Sequence, residues 1–191
     1  MSRPINITDS VVLTPVSFDD TNSVHAGVNT SYPIANGYTN SSSTTYSQFN
    51  ITTGSGATTY IYYNFDTSDI PNGATINSVT CSAKAYINTT NSSRITTRQI
   101  QLCTGTTTKG SAGTISNSTN AMTITAGSWT LAELRNAKIR MYVVRGTSNT
   151  TSTYYVRFYG ATLTINYSIS GTAYTVVASS SVSGVSVSPA S

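Results

Sequence analysis

Short runs in which apolar and polar residues alternate recur along almost the whole chain of 191 residues. In these runs β-branched and aromatic residues occupy every second position, the pattern of strands that bury one face of a sheet. The pattern predicts seven strands, at residues 11–16, 59–65, 76–87, 98–103, 138–144, 154–159 and 161–169. Seven or more short strands are typical of an antiparallel β-sandwich or a jelly roll. We therefore predict an all-β, antiparallel β-sandwich fold of the jelly-roll type.

The same alternation predicts the core of the sandwich. Between the last two strands the apolar positions change from even to odd numbers, so we expect a kink at Gly160. Segments rich in Ser, Thr, Asn and Gly at 36–47, 54–57, 88–93, 104–120 and 146–152 are predicted to be loops or hairpin turns. The predicted core residues are Phe65, Ile76, Val79, Ile100, Leu102, Ile139, Met141, Val143, Val156, Phe158, Leu163 and Ile165.

One segment has a helical pattern. Thr130 is followed three residues later by Glu133, which matches a capping box, and the pattern predicts a short helical turn near residues 130–136. Glu133 is therefore interpreted as a capping residue rather than a catalytic one. Trp129, directly before the cap, is predicted to anchor the end of the core; a sugar-stacking role is the alternative.

Charge and composition bear on function. Only 8% of residues are charged, and the chain has one Glu, one His and five Asp, whereas catalysis requires acids, bases or metal ligands in combination. We therefore expect no enzymatic activity, no catalytic residue and no cofactor, and we interpret His25 as a surface residue. A structural Ca²⁺ ion held by Asp19 and Asp20 with another Asp is the minority interpretation, against turn and cap roles.

The positive charge does not indicate nucleic acid. The net charge of +4 reflects scarce acids, and the basic residues are scattered rather than clustered. No apolar run approaches the ~20 residues of a membrane span. The first ten residues lack the apolar segment of a secretory signal. We therefore expect neither a nucleic-acid partner nor a membrane partner, and synthesis in the cytoplasm.

Two cysteines raise the question of a disulfide. Cys81 shares the apolar face of its strand with Val79 and Ala83, whereas Cys103 lies opposite Ile100 and Leu102 on the next strand. In regular register the two thiols point to opposite sides of a sheet. We predict that they are not bonded to each other, which is consistent with folding in a reducing compartment.

Two segments carry a family resemblance. Residues 65–79, FDTSDIPNGATINSV, resemble a hinge of jelly-roll domains in carbohydrate-binding modules and in structural proteins of tailed phages. Residues 128–134, 139–144 and 155–167 resemble the closing half of the same domains. The resemblance covers about residues 59–168. We predict one sandwich domain over residues 1–168, in which 1–50 is an anchoring region or contributes additional strands. Residues 169–191 form an exit strand or tail, and their last ten residues resemble the opening strand of a bacterial Ig-like repeat.

Two functions follow from this resemblance. The first is a non-catalytic phage virion protein, such as a head decoration, fibre or tail-associated component. It would assemble as a symmetric homo-oligomer or on a lattice, bind other virion proteins and contact a host surface polysaccharide. The alternative is a carbohydrate-binding or adhesive module on a bacterial cell surface. Thirteen tyrosines suit either role, because Tyr combines a rigid contact area with a polar hydroxyl. On the faces opposite the predicted core, Tyr62, Tyr86 and Tyr142 are the predicted contacts.

Overall fold

The computed structural model describes residues 4–147, 152–172, 176–181 and 184–189; for Pro4 and from Thr172 onward it describes the backbone alone. These residues form thirteen strands and two short helical turns, a 3₁₀ turn at Ile34–Gly37 and α1 at Leu131–Leu134. The strands are β1 (Pro4–Leu13), β2 (Pro15–Phe18), β3 (Gly27–Val28), β4 (Ser47–Asn50), β5 (Thr58–Phe65), β6 (Thr75–Ile87), β7 (Ile95–Thr104), β8 (Thr107–Thr114), β9 (Met122–Ile124), β10 (Ala137–Arg145), β11 (Tyr155–Thr172), β12 (Val176–Ser181) and β13 (Gly184–Pro189).

Two antiparallel sheets pack face to face. The six-stranded sheet has the order β3-β4-β11-β6-β9, and β1 also pairs with β11. The five-stranded sheet has the order β2-β5-β10-β7-β8. Strands β12 and β13 pair with each other as a separate hairpin. The predicted all-β sandwich is therefore confirmed, and α1 is the predicted helical turn; the 3₁₀ turn was not predicted.

The core lies between the two sheets. Along β10 buried and partly exposed residues alternate strictly, so Ile139, Met141 and Val143 point inward. The predicted core is confirmed for every residue except Ile76, which is only partly buried and packs against the margin of the core. Ile76 is only partly buried because it lies near the start of β6, before Val79, which is the first buried residue of that strand.

Gly160 joins the last two predicted strands into one. Its φ is +124°, and the register of β11 against β6 shifts between Phe158 and Gly160. A Cβ at this position would lie 2.2 Å from the carbonyl oxygen of Thr39. The predicted kink is thus confirmed as a bulge within the 18-residue strand β11, where the backbone of the 39–40 loop approaches closely.

The sequence prediction missed several strands. The segment 104–120, predicted to be a loop or turn, contains β8. Residues 4–50 contribute β1 to β4, which belong to both sheets, and the one strand predicted there, at 11–16, is divided between β1 and β2. Strand β8 is mostly exposed and has no apolar alternation, so its strand geometry comes from backbone pairing with β7. An exposed edge strand of this kind leaves almost no periodic signal in the sequence.

The capping box is present as predicted. The Glu133 amide donates to Thr130 Oγ1 at 3.2 Å, and the Thr130 amide donates to Glu133 Oε2 at 2.8 Å. Glu133 also pairs with Lys109 of β8 at 2.8 Å. Trp129 is 7% exposed and donates from its indole N–H to the Ala126 carbonyl at 2.7 Å. Trp129 is therefore a core anchor rather than an exposed sugar platform.

Both cysteines are free, as predicted, and both are buried. The parity argument placed them on opposite sides of one sheet, and this detail is wrong. Cys81 in β6 belongs to the six-stranded sheet and faces the core, whereas Cys103 in β7 belongs to the five-stranded sheet. Burial raises the pKa of Cys81 to about 12 and that of Cys103 to about 11, so both thiols are protonated at neutral pH.

Within the described ranges, no helix has the length and apolar character needed to cross a bilayer.

Candidate functional site

The three predicted contact tyrosines lie on opposite sides of the molecule. Tyr86 is in β6 and points away from the core, between the inward-facing Ala85 and Ile87. Tyr62 in β5 and Tyr142 in β10 point outward from the five-stranded sheet. Because the outer faces of the two sheets look in opposite directions, one small ligand cannot contact all three residues.

On the five-stranded sheet, tyrosines surround Arg140. We call this surface the Arg140 face and define it by Tyr60, Tyr62, Tyr142, Arg140 and Gln101. Tyr60 and Tyr142 are directly opposed across β5 and β10, and their rings stack at 4.9 Å with an angle of 7°. The Arg140 guanidinium carbon lies 5.2 Å from the Tyr142 ring centroid, and Arg140 Nη2 donates to Gln101 Oε1 at 3.2 Å.

A neighbouring segment pairs with the edge of β5 beside the Arg140 face. The Tyr62 amide donates to Ser23 Oγ at 3.0 Å, and Val24 and Tyr60 exchange backbone hydrogen bonds. Tyr62 is only 4% exposed, and burial raises its pKa. Tyr142 remains partly exposed. Of the two predicted contacts on this sheet, Tyr142 is therefore the one that a ligand can reach.

A larger cluster lies on the six-stranded sheet. We call it the Arg157 face and define it by Tyr32, Tyr46, Tyr86, Tyr155, Tyr159, Arg157 and Lys84. The Arg157 guanidinium carbon lies 4.4 Å from the ring centroid of Tyr46, 4.9 Å from that of Tyr155, 5.4 Å from that of Tyr86 and 5.9 Å from that of Tyr32. These distances are within the range of cation–π attraction.

Sheet register places Arg157 at the centre of this cluster. It pairs with Gln48 of β4 on one side and with Tyr86 of β6 on the other. Arg157 Nε donates to Gln48 Oε1 at 2.9 Å. Residues 155, 157 and 159 point to the same face because side chains alternate along a strand. The ring of Tyr46, which comes from the segment before β4, stacks on that of Tyr32 at 4.5 Å.

The charged groups of the Arg157 face are two cations, Arg157 and Lys84. Lys84 Nζ donates to the Ser43 carbonyl at 2.8 Å and lies 4.8 Å from the Tyr159 ring centroid, and this bond uses one of the three N–H donors of the ammonium. Burial, together with a hydrogen bond to Tyr32, raises the pKa of Tyr46 to about 12. The Tyr46 hydroxyl thus stays protonated and able to donate hydrogen bonds at neutral pH.

Most of the Arg157 face was missed by sequence reasoning. The alternation that identified Val156 and Phe158 as core residues also predicts that Tyr155, Arg157 and Tyr159 face outward, and this signal was available. Tyr32 and Tyr46 belong to irregular segments without a period. No sequence pattern indicates that they approach a residue more than one hundred positions away.

The carboxylates have structural partners. Asp19 pairs with Lys138 and accepts from Asn22 Nδ2 at 2.7 Å. Burial opposes the ionisation of Asp19, but these partners outweigh it and hold its pKa below the usual value. Asp66 accepts from the Ser68 amide at 2.9 Å in a turn. Among the residues described, no group of three or more His, Cys, Asp or Glu side chains could hold a metal ion.

His25 differs from its prediction as a surface residue. Its ring is half-buried and lies 5.3 Å from the ring of Phe49 and 6.0 Å from that of Phe18. Burial lowers its pKa, and no described residue forms a hydrogen bond with its buried Nδ1 atom. The neighbouring apolar rings explain why the imidazole is held in its neutral form.

No family model, no curated protein and no solved structure matches the chain. The resemblance to jelly-roll domains is therefore supported at the level of the β-sandwich alone.

Proposed function

We propose that the protein is a non-catalytic structural component of a bacteriophage particle, a head decoration, fibre or tail-associated protein. In this role it binds other particle proteins in a symmetric oligomer or lattice and contacts host glycans. The observation that carries the recognition role is the Arg157 face, where four tyrosine rings lie within 6 Å of a partly exposed guanidinium. Tyrosine and arginine are the residues most enriched in binding surfaces.

The hinge segment supports the assignment to a jelly-roll domain, the fold that both candidate functions share. In FDTSDIPNGATINSV, Phe65, Ile70, Ala74 and Val79 are buried. The Ala74 amide donates to the Pro71 carbonyl at 3.2 Å across the turn, and Gly73 has a φ of +85°. The residues that carry the resemblance thus have the packing and turn roles that it implies.

The carboxylates support a non-catalytic role. Asp19 is paired with Lys138, Asp66 closes a turn and Glu133 caps α1. Asp9 accepts hydrogen bonds from the Ser10 amide at 2.7 Å and the Tyr167 hydroxyl at 3.1 Å. A general acid or base must reach a substrate, whereas these four carboxylates are occupied by structural partners.

The cysteines support folding inside a cell. Two free, buried thiols are typical of proteins that fold in a reducing cytoplasm, where virion proteins are made.

Mass spectrometry of purified particles tests the proposal. Particles from the producing culture are banded on a density gradient, and the cell-wall fraction of the same culture is the control. We expect the chain to co-sediment with capsid proteins in a fixed ratio. Absence from the particles, together with presence in the cell-wall fraction, would favour the alternative, a carbohydrate-binding or adhesive module of a bacterial surface protein. The Arg157 face is compatible with that alternative, because tyrosine faces also suit sugar binding.

A further inference from the structure

We propose that the Arg157 face binds a saccharide residue that carries a carboxylate group. This inference rests on the glycan contact of the proposed function and names the chemical class of the glycan. The carboxylate would pair with the guanidinium of Arg157, and the sugar ring would lie against the surrounding tyrosines.

The hydrogen bonds of Arg157 leave its outer edge open. Nε donates to Gln48 Oε1, which fixes the plane of the guanidinium. Within the described residues no acceptor contacts the two Nη atoms, and these atoms are not buried. A planar fork with free N–H groups matches the two oxygens of a carboxylate, and such bidentate pairs are among the strongest hydrogen-bonded contacts.

The tyrosines provide the rest of a sugar site. Tyr32, Tyr46, Tyr86 and Tyr155 are all partly exposed around the guanidinium. A tyrosine ring offers an apolar face to the C–H groups of a pyranose, and its hydroxyl can exchange hydrogen bonds with sugar hydroxyls. The tyrosine rings can therefore pack against the C–H groups of a sugar, whereas a simple inorganic anion has no apolar surface for them to contact.

The charge of the face favours one acidic group rather than a polyanion. The face has two cations: Arg157, which four tyrosine rings surround, and Lys84, whose Nζ is held by the Ser43 carbonyl. Nucleic-acid binding depends on several Lys and Arg residues that neutralise successive phosphates. Two cations, of which only Arg157 has a planar fork of open N–H groups, instead suit an isolated carboxylate on an otherwise neutral sugar.

The Arg140 face provides a matched control. Arg140 also lies beside two tyrosine rings, but its Nη2 atom already donates to Gln101. Tyr62 is covered on that face. Substitution of Arg140 therefore removes the same charge from a similar environment on the opposite sheet, without removing the proposed site.

Calorimetric titration of the full chain tests the proposal. The probes are tetragalacturonate and sialyllactose, each compared with its methyl ester, which keeps the sugar and removes the charge. We expect at least one acid probe to bind and its ester to bind about tenfold more weakly or not at all. Arg157→Gln should weaken binding of the acid to the level of the ester, Arg157→Lys should restore part of it, and Arg140→Gln should leave it unchanged.

Several results would overturn the proposal: neither acid probe binds, acid and ester bind equally, or Arg140→Gln weakens binding as much as Arg157→Gln. Equal binding of poly-glutamate, lost in the same variant, would assign the face to an acidic protein instead. The melting temperature of each variant shows whether it is folded, and Arg157→Lys keeps most of the packing if Arg157→Gln unfolds. Association with particles is measured separately. If the chain associates with particles but does not bind the acid probes, only this inference is refuted. If it binds an acid probe but does not associate with particles, only the proposed function is refuted.

Discussion

Gly160 lies where β11 exchanges one neighbour for another. Residues 155–158 of β11 pair with β4, and residues 163–172 pair with β1 on the same side of the strand, while β6 lines the other side. Between the two partners, the Ala161 amide donates to the Thr39 carbonyl at 3.0 Å, and Thr39 Oγ1 donates to the Tyr159 carbonyl at 2.7 Å. The loop can approach this closely because residue 160 has no side chain.

We expect Gly160→Ala to destabilise the protein by about 2–4 kcal/mol. Its φ of +124° is strained for any residue with a Cβ, and that atom would lie 2.2 Å from the Thr39 carbonyl oxygen. Gly56→Ala is the matched control, because Gly56 also has a positive φ, +70°, but no atom lies within 4 Å of its Cβ position. Urea denaturation measures both variants. Equal losses would contradict the role assigned to the Thr39 contact.

At the scale of elements, the α1 turn connects two parts of the five-stranded sheet. Glu133 caps α1 and pairs with Lys109 of β8, while Thr104 Oγ1 at the end of β7 donates to the Glu133 carbonyl at 3.0 Å. The hydrogen bond from Lys109 and those from Thr130 lower the pKa of Glu133 to about 2. The single glutamate therefore stabilises both the helical turn and the exposed β7–β8 hairpin.

This arrangement predicts a specific acid sensitivity. Because the folded-state pKa of Glu133 lies near 2, below its ordinary value of 4.5, its stabilisation is complete above about pH 4.5 and is lost as the pH falls towards 2. The melting temperature of the wild type should therefore fall more steeply over this range than that of Glu133→Gln. The pKa values of Asp19 and Asp66 are also lowered, but both residues are present in the wild type and in Glu133→Gln. The difference between the two melting curves therefore reports the contribution of Glu133. Parallel curves would show that the charge of Glu133 does not stabilise the fold.

The cap itself is tested at neutral pH. Thr130→Ala removes the hydroxyl that accepts from the Glu133 amide and should cost about 1 kcal/mol. Thr130→Ser keeps that acceptor and is the control. A loss of stability in Thr130→Ser equal to that in Thr130→Ala would show that the methyl group, rather than the hydrogen bond, stabilises the turn.

At the scale of the whole molecule, the last strand of the sandwich extends past the boundary at residue 168 drawn from the sequence. Residues 169–172 of β11 pair with Pro4–Ile7 of β1, and Ile169 packs against the core. Strands β12 and β13 pair with each other. Within the described residues, the pairing of β11 with β1 thus extends to Thr172.

Two truncations test this end point. A chain ending at Thr172 should keep the melting temperature of the full chain, because it retains every strand pair of the two sheets. A chain ending at Ser168 loses Ile169 and the partners of the first four residues of β1, and should melt several degrees lower, corresponding to about 1–2 kcal/mol. Differential scanning calorimetry distinguishes them. A large decrease in the melting temperature of the chain that ends at Thr172 would show that residues 173–191 stabilise the sandwich.

The sequence by itself determined the features that follow from local periodicity. A strand with one buried face must alternate, so the central strands were predictable, as was the bulge at Gly160, where the parity changes. Every predicted core residue except Ile76 lies in the core, but core residues outside the predicted strands, such as Phe49, Ile115 and Ile124, were not predicted. The capping box of Thr130 and Glu133 was predictable for the same reason, because its two partners are three residues apart.

Only the tertiary structure decided which surfaces can bind. Arg157 meets Tyr32 and Tyr46 because β4 pairs with β11, and neither tyrosine lies in a periodic segment. Tyr62 has the alternation of an exposed residue, yet it is only 4% exposed. Alternation reports which side of a strand a residue occupies, but its exposure depends on distant segments that pack over that side, and no local pattern records them.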